Sequence, residues 1–257
     1  MPYLDYKNKK IFYQIKNSDG KNKAIIFLHA SGGTSYTWKE QMAKLDVNYD
    51  LIALDLPSHG KSEDITKLSL ELYVDVIKEL IEILDFEQVI LCGNSLGGAV
   101  VQEFYFKYPK KIIALILCGT GARLRVSPVI LNSLQDDYQQ YLNSYHVGAF
   151  HKKTPKEIIN PFLKEVGAVD SQVAYSDYMI CDNFDVMDKI HLIDVPCLVL
   201  CGTADRLTPV KYSQYFHDKI KNSELVIIND AAHHAMLEKP EEVNQAIKNF
   251  LNKYVYF

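Results

Sequence analysis

The chain has 257 residues, of which 48% are hydrophobic, and a formal net charge of −4 at neutral pH. This length and apolar content suffice for one large domain, or for a core domain that carries an insertion. The slight excess of acidic residues leaves no basic surface of the kind that binds nucleic acid, so we expect no nucleic-acid partner. No apolar run approaches the roughly 18–20 residues that span a bilayer, and the N-terminal stretch lacks the apolar core of a signal peptide. We therefore expect no membrane partner.

Short apolar runs recur along the chain and predict the strands of a sheet. The N-terminal pair "YLDYK" and "IFYQIK", on either side of "NKK", predicts an antiparallel hairpin. Six later runs are apolar throughout, which is typical of parallel strands buried on both faces. They span residues 24–30, 51–56, 88–94, 112–119, 197–203 and 224–230.

Segments of helical length lie between these runs. Residues 67–84 carry leucines and valines at helical spacing, and residues 95–108, 210–220 and 240–254 have similar lengths. Strand–helix alternation of this kind indicates the α/β class. We therefore predict a mostly parallel, doubly wound sheet.

The alternation breaks between residues 122 and 190, where helix starts recur without a clear strand. "SP" at 127–128 offers an N-cap followed by proline at the first helical position. "TPKE" at 154–157 has the spacing of a capping box, and "DS" at 170–171 opens a third segment. These signals predict several helices in this span.

We interpret residues 122–190 as a helical cap inserted into an α/β core of residues 1–121 and 191–257. The segment is rich in aromatic side chains, most of which we expect to hold the cap together. We suspect that other cap residues bind substrate. The aromatic residues are Tyr138, Tyr141, Tyr145, Phe150, Phe162, Tyr175, Tyr178 and Phe184.

The cysteines and the absence of cofactor motifs limit the chemistry. The five cysteines are an odd number, none forms a CxxC pair, and four lie in the apolar runs. Buried free thiols fit a reducing compartment, so we expect a cytoplasmic protein. The sequence has no HExxH, no zinc-ligand spacing, no dinucleotide fingerprint and no P-loop, so we expect no metal and no cofactor.

A serine between glycines follows one of the predicted strands. "GNSLGG" places Ser95 between Gly93 and Gly97, after a buried strand and before a helix. This context is that of a nucleophile elbow, in which a tight turn leaves no room for neighbouring side chains. The serine hydroxyl then stands at a helix N-terminus, where developing negative charge is stabilised. Ser95 is the predicted nucleophile.

An activated serine needs a base and an orienting carboxylate, which in the elbow architecture follow it in the order acid, then base. Asp205 lies in the loop after a predicted strand, and His233 and His234 lie in the loop after the next one. Such loops meet at the carboxyl edge of a parallel sheet. Asp230 is the main rival acid, but it precedes the histidine loop and so lies on the wrong strand.

Taken together, these motifs resemble those of the cap-bearing branch of the α/β-hydrolase family, over essentially the whole chain. "LHASGG", "DLPSHGKS", "GNSLGG" and the pair "GTADRLTP" with "AAHHAMLEKP" carry the resemblance. It implies the α/β-hydrolase fold and a Ser-His-Asp triad. Two positions depart from the pattern, because Ala30 and Ser58 stand where the family usually has glycine.

The resemblance also implies individual roles. Counting back from Glu238 and Pro240 in the family pattern makes His233 the base and leaves His234 to orient or pack. The backbone N–H of Leu96 and, after "IIFLH", that of Ser31 would form the oxyanion hole. In this pattern a histidine such as His29 more often holds the oxyanion loop than takes part in catalysis.

We therefore expect an esterase-type serine hydrolase that cleaves a small, mostly apolar ester through an acyl-enzyme intermediate. One alternative is a hydrolase of C–C bonds in ring-fission products with the same triad, although "HASGGT" lacks the usual proline. Another is a receptor that binds a small signal molecule and turns it over slowly. The sequence does not fix the oligomeric state, and a homo-oligomer stays open.

Arginine is rare in this chain, where 25 of the 28 basic residues are lysine. Each of Arg123, Arg125 and Arg206 is thus a candidate for a site that needs a planar donor, although chance explains the bias equally well. Because Arg123 and Arg125 stand at the entry to the predicted cap, we expect them to anchor it by ion pairs rather than to touch substrate.

Overall fold

The structure is a computed structural model that describes residues 2–19 and 22–255. Within this part of the chain, eight strands form one sheet in the order β1-β2-β4-β3-β5-β6-β7-β8. The strands are β1 Tyr3–Tyr6, β2 Lys9–Lys16, β3 Lys23–Leu28, β4 Asp50–Leu54, β5 Gln88–Asn94, β6 Ile112–Cys118, β7 Cys197–Gly202 and β8 Ser223–Ile228.

The mostly parallel sheet and the N-terminal hairpin are confirmed. Strand β1 pairs with β2, and β2 with β4, in antiparallel fashion, whereas the other neighbours pair in parallel. The hairpin turns at Lys7 and Asn8, whose φ angles of 49° and 65° are left-handed. Two consecutive left-handed residues match the twist of the flanking strands, which explains this tight turn.

Burial on both faces explains why the central strands are apolar throughout. In β3, Ile25 and Phe27 belong to one core cluster, while Ala24, Ile26 and Leu28 belong to the other. All five are fully buried. Because successive side chains of a strand point to opposite faces, the sheet separates two apolar cores.

Ten α-helices are found in the described residues. They are α1 Lys39–Lys44, α2 Leu70–Ile83, α3 Leu96–Lys107, α4 Pro128–Asp136, α5 Tyr138–Ala149, α6 Lys156–Gly167, α7 Ser171–Asn183, α8 Val210–Lys219, α9 Ala235–Glu238 and α10 Pro240–Tyr254. The four helices predicted outside the cap segment are confirmed as α2, α3, α8 and α10. Helix α2 begins at Leu70 rather than at residue 67, because Ser69 caps it by accepting a hydrogen bond from the Leu72 amide.

Four of these helices, α4 to α7, lie between β6 and β7, in the segment interpreted as a cap. The predicted start of α4 is confirmed, since Ser127 caps it and Pro128 occupies its first position. The start of α7 is confirmed as well, with the Asp170 carboxylate accepting from the Gln172 amide at 2.7 Å. Helix α5, which Asp137 caps, was not predicted.

The capping box predicted at residues 154–157 is wrong. Helix α6 begins at Lys156, with Pro155 as its N-cap and no side-chain capping bond. The hydroxyl of Thr154 instead donates to the carboxylate of Glu238, which lies 84 residues away along the chain. This charge-assisted tertiary bond is strong and holds the Thr154 side chain at Glu238, while the helix begins two residues later.

The topology brings four loops to the carboxyl edge of the parallel strands. Ser95 follows β5, Asp205 follows β7 and His233 follows β8, while the loop after β3 carries Ala30 and Ser31. An open α/β sheet places its ligands at this edge. None of the helices within residues 2–19 and 22–255 is long and apolar enough to cross a bilayer.

Candidate active site

The sharp turn at Ser95 requires glycine on both sides. A Cβ atom at Gly93 would lie 2.2 Å from the carbonyl oxygen of Gly97, and one at Gly97 would lie 2.4 Å from that of Leu28. Neither distance is compatible with a side chain. The glycines therefore let β5 and α3 pack tightly, as an elbow demands.

Ser95 itself adopts a strained backbone conformation. Its φ of 54° and ψ of −114° are rare for any residue except glycine. The surroundings hold it there, because the Ser95 amide donates to the Cys118 carbonyl at 3.2 Å and the Thr120 hydroxyl donates to the Ser95 carbonyl at 2.8 Å. The strain presents the Ser95 side chain at the N-terminus of α3, next to a cavity.

The carboxylate of Asp205 is buried and accepts several hydrogen bonds. Its Oδ1 accepts from the amides of Leu207 and Thr208 at 2.9 and 2.8 Å, and its Oδ2 accepts from the Thr208 hydroxyl at 2.8 Å. Burial alone would raise the pKa of the Asp205 carboxyl, but nearby His233 and the bonds from Thr208 lower it below its ordinary value. The group is an anion fixed in one orientation.

His233 lies against this carboxylate. Its Nδ1 is 2.9 Å from the Asp205 Oδ2 and 3.2 Å from the Thr208 hydroxyl. Its main chain is fixed too, since the amide donates to the Ala149 carbonyl at 3.1 Å and the carbonyl accepts from Asn94 at 3.3 Å. A proton on Nδ1 leaves Nε2 as the basic nitrogen.

Ser95 and His233 line the same cavity. In the part of the chain that the structure describes, neither the Ser95 hydroxyl nor the His233 Nε2 makes a hydrogen bond. Bonds between a nucleophile and its base commonly tighten only in the complex with substrate. The structure thus brings together the three residues that the sequence singled out, with the contact between Asp205 and His233 formed.

The adjacent His234 has a different environment. Its side chain is fully buried, its Nε2 lies 2.8 Å from the Tyr145 hydroxyl, and its ring packs at 4.4 Å from that of Phe162. Burial, and to a smaller extent the neighbouring His233, hold the pKa of His234 well below its ordinary value. His234 is thus a neutral packing residue in the aromatic cluster of the cap.

Asp230 makes its contacts away from His233. Its carboxylate is 57% exposed and lies 3.5 Å from Lys153 and 3.6 Å from His151. These contacts are on the surface of the loop that leads to the histidines. The structure therefore brings Asp205, and not Asp230, to His233.

The loop after β3 borders Ser95. Ala30 and Ser31 line the cavity, and the His29 side chain fixes the backbone beneath them. The His29 Nε2 accepts from the Leu56 amide at 3.0 Å, so its Nδ1 carries the proton and donates to the Ala30 carbonyl at 2.8 Å. Burial, together with the charge of nearby His59, lowers the pKa of His29 to about 4, which keeps the ring neutral.

A further carboxylate near this loop was not predicted. Asp177, on α7, is completely buried and accepts hydrogen bonds from the Gly32 amide, the His59 Nε2 and the Tyr73 hydroxyl. The one local signal is that an acidic residue lies on the same helical face as the small residues Ala174 and Cys181.

The cavity has a volume of about 190 Å³. Its walls are largely apolar or aromatic, with two arginines and no acidic residue among them. Half of the lining comes from the segment predicted to be the cap. The lining residues are Ala30, Ser31, Ser95, Leu124, Arg125, Val126, Ser127, Ile130, Tyr145, Tyr178, Cys181, Arg206, Leu207, Thr208, Tyr212 and His233.

The arginines at the entry to the cap lie near one carboxylate. Arg123 and Arg125 approach Asp185 at 3.7 and 3.9 Å, and Arg125 also donates to the Asp182 carbonyl. All four residues lie within residues 122–190, so these contacts join the two ends of this segment, and anchoring of the cap to the core by these arginines stays a prediction. Arg125 additionally lines the cavity, as does Arg206, which follows Asp205 directly.

Comparisons with known proteins agree with this arrangement. The sequence profile of the alpha/beta hydrolase family matches residues 25–246. A solved structure of a thermophilic esterase is 34% identical, covers 98% of this chain and 97% of its own, and superimposes with a TM-score of 0.87. The enol-lactonase of Burkholderia xenovorans LB400 has a TM-score of 0.91 at 20% identity, with 98% of this chain and 100% of its own covered, and it shares the fold.

A curated relative has a similar sequence over most of the chain. The pimeloyl-[acyl-carrier protein] methyl ester esterase of Neisseria meningitidis serogroup A is 24% identical over 243 residues, which cover 89% of this chain and 77% of the relative.

Proposed function

Because the chain belongs to the alpha/beta hydrolase family, we propose that it is a carboxylesterase-like serine hydrolase of a small, mostly apolar ester. The observation that carries this proposal is the 2.9 Å contact between Asp205 and the Nδ1 of His233, at a cavity that His233 shares with the strained Ser95. The esterase relatives named above support the same reaction class.

In the proposed mechanism, the Ser95 hydroxyl attacks the ester carbonyl while the His233 Nε2 takes its proton. Asp205 holds the imidazole in the required tautomer and stabilises its positive charge. His233 then gives the proton to the leaving alcohol, which departs and leaves an acyl group on Ser95. Water attacks this ester with His233 again as base, and the acid product and free Ser95 result.

The negative charge on the carbonyl oxygen needs donors that are already in place. The Leu96 N–H stands at the N-terminus of α3, and the Ser31 N–H belongs to the loop after β3, which lines the same cavity as Ser95. We assign these two amides to the oxyanion hole. Removing one such donor in other serine hydrolases costs about 100-fold to 1,000-fold in kcat.

The cavity supports a small substrate. Its volume of about 190 Å³ is below that of most drug-sized pockets, and its walls are largely apolar. We assign residues 122–190 to a cap that closes over the core of residues 1–121 and 191–257, because half of the cavity lining comes from this segment. The five buried free thiols support a cytoplasmic location.

A panel of esters tests the proposal. Methyl and p-nitrophenyl esters with acyl chains of two to ten carbons, together with methyl half-esters of dicarboxylic acids, would be assayed with the wild type and Ser95→Ala. The half-esters are included because Arg125 and Arg206 line the cavity. We expect turnover of the shorter esters, with a burst of p-nitrophenol that reports the acyl-enzyme, and none by Ser95→Ala. Absence of turnover across the panel would contradict the hydrolase and favour a receptor that only binds.

A further inference from the structure

Helix α7 reaches the loop after β3 through a buried carboxylate. The Oδ2 of Asp177 accepts from the Gly32 amide and from the His59 Nε2, both at 2.9 Å, and its Oδ1 accepts from the Tyr73 hydroxyl at 2.6 Å. The carboxylate thus joins α7 to three separate parts of the core. Of its three partners, Gly32 is the one in the loop that borders Ser95.

Two further residues on the same face of α7 contact this loop. The Cys181 Sγ lies 3.4 Å from the Ser31 hydroxyl, and a Cβ atom at Gly32 would lie 3.2 Å from that of Ala174. Ala174, Asp177 and Cys181 are three and four residues apart, so they share one helical face. The loop therefore packs directly on α7 over two consecutive residues.

Asp177 is an anion in this site. Burial alone would raise the pKa of its carboxyl, but the charge of His59 and the bonds from His59, Tyr73 and Gly32 lower it below its ordinary value. Burial likewise opposes protonation of His59, whereas the Asp177 carboxylate raises the pKa of that imidazole. A charge-assisted bond to a backbone amide is shorter and stronger than a neutral one, so Gly32 is held firmly.

The peptide unit that contains the Ser31 N–H is held on both sides. Its carbonyl is that of Ala30, which accepts from the His29 Nδ1 at 2.8 Å and from the Gly33 amide at 3.0 Å. A trans peptide is planar, so fixing this carbonyl fixes the direction of the Ser31 N–H. The next peptide ends at the Gly32 N–H, which Asp177 holds.

We propose that Asp177 is a positioning residue for the oxyanion hole: by binding the Gly32 amide, it lets the cap helix α7 hold the Ser31 N–H toward the substrate carbonyl. The proposal rests on the proposed hydrolase function, in which the Ser31 N–H stabilises the tetrahedral intermediate. It makes the cap part of the catalytic apparatus through α7 and not only a cover for the cavity.

Three variants of the full chain test this role. Asp177→Leu removes every acceptor at similar volume. Asp177→Asn is the conservative variant, because its amide oxygen can replace Oδ2 at Gly32 while its NH₂ group donates to the Tyr73 hydroxyl. Tyr73→Phe is the matched control, since it removes a buried bond to the same carboxylate without touching the loop. Urea unfolding would establish that each variant is native before assay.

The readouts are kcat and KM on the best ester of the panel, and the inhibition constant of an alkyl trifluoromethyl ketone, whose adduct with serine places an oxyanion in the hole. For Asp177→Leu we expect kcat to fall about 10-fold to 100-fold with little change in KM, because a displaced donor affects only the transition state. The ketone should bind more weakly by the same factor. Asp177→Asn and Tyr73→Phe should keep most of the wild-type kcat and ketone affinity.

The possible results distinguish a failure of the positioning role from a failure of the hydrolase function. A native Asp177→Leu with wild-type kcat and ketone affinity would overturn the proposal, as would an equal loss of kcat in Tyr73→Phe. If Asp177→Leu does not fold, Asp177→Glu replaces it with the same expectations, since the longer side chain keeps the charge but displaces the carboxylate from Gly32. A wild type that neither hydrolyses esters nor binds the ketone would instead overturn the hydrolase function itself, and the positioning role with it.

Discussion

The protein contains two buried carboxylate–histidine pairs that have the same contact distance. The Asp205–His233 pair and the Asp177–His59 pair each have a nitrogen–oxygen separation of 2.9 Å, and all four side chains are almost completely buried. They differ in which imidazole nitrogen the carboxylate holds. In His233 it is Nδ1, whereas in His59 it is Nε2.

The imidazole nitrogen that does not contact the carboxylate determines what each pair can do. The His59 Nδ1 donates to the Pro57 carbonyl at 2.9 Å, so both of its nitrogens are committed to the protein. The His233 Nε2 has no hydrogen-bond partner among the described residues, and His233 lines the cavity. A buried carboxylate–histidine pair can therefore transfer protons only where one imidazole nitrogen stays free of protein partners, and otherwise it serves to hold loops together.

Removing His233, the proposed base, should have the largest effect. We expect His233→Ala to lower kcat by about four to six orders of magnitude, as deletion of a triad base does. His234→Phe is the matched control, because phenylalanine can fill the aromatic cluster around Tyr145 and Phe162, and it should keep substantial activity. Steady-state kinetics on one ester give the kcat of both variants. Loss of activity in His234→Phe with retention in His233→Ala would reverse the assignment of the base.

Neutralising the carboxylate of the same pair should have the next largest effect. Asp205→Asn keeps the volume but favours the wrong tautomer of His233, so we expect kcat to fall by about 10,000-fold. Asp230→Asn is the control, since this exposed carboxylate contacts only Lys153 and His151. Equal losses of kcat in the two variants would show that Asp205 has no special relation to the base.

The Asp177–His59 pair should instead affect how the stability of the protein depends on pH. The lowered pKa of Asp177 gives a contribution that is present above the unfolded value of about 4 and lost as the pH falls through the folded value. The raised pKa of His59 gives a second contribution to stability, which is present below the unfolded pKa of about 6.5 and is lost as the pH rises through the pKa of folded His59. Both contributions are complete between about pH 4 and 6.5.

We therefore expect Asp177→Leu to reduce the free energy of unfolding most near pH 5, by about 3 kcal/mol or more, because it leaves a buried partner uncompensated. The reduction should be smaller at pH 3 and at pH 9. Urea unfolding of the wild type and the variant at the three pH values measures it. A difference that does not vary with pH would show that the pair is not ionised in the folded protein.

The smallest effect should come from the surface contacts at the entry to the cap. Asp185→Asn removes the partner of Arg123 and Arg125, whose side chains are 48% and 58% exposed. Exposed ion pairs contribute little, so we expect the free energy of unfolding to change by less than about 1 kcal/mol. Thermal unfolding of the two proteins measures this change. A loss of several kcal/mol would mean that the cap depends on these arginines more than on its buried contacts.

The sequence was informative where function is encoded by local patterns. Ser95 could be predicted because its turn needs Gly93 and Gly97 within a few residues, and Asp205 because it directly follows an apolar strand. The residues alone did not separate His233 from His234, since the choice depends on which ring reaches Asp205. That contact is made across 28 residues of chain.

Contacts that span long stretches of chain could not be predicted. The bond between Asp177 and Gly32 joins residues 145 positions apart and depends on how α7 is rotated against the loop. The predicted capping box is a second example, because the Thr154 hydroxyl donates to Glu238, which lies on helix α9 and is distant along the chain. In both cases a buried or charged tertiary partner outweighs the local preference.

In the proposed mechanism the strained Ser95 is the nucleophile. Incubation of the wild type with a fluorophosphonate ester, followed by proteolysis and mass spectrometry, tests it directly, because this reagent forms a stable adduct with an activated serine. We predict one adduct per chain, on Ser95, with parallel loss of ester hydrolysis, and no adduct in Ser95→Ala or His233→Ala. An adduct on another residue, or an unlabelled Ser95 in a preparation that hydrolyses esters, would show that Ser95 is not the nucleophile.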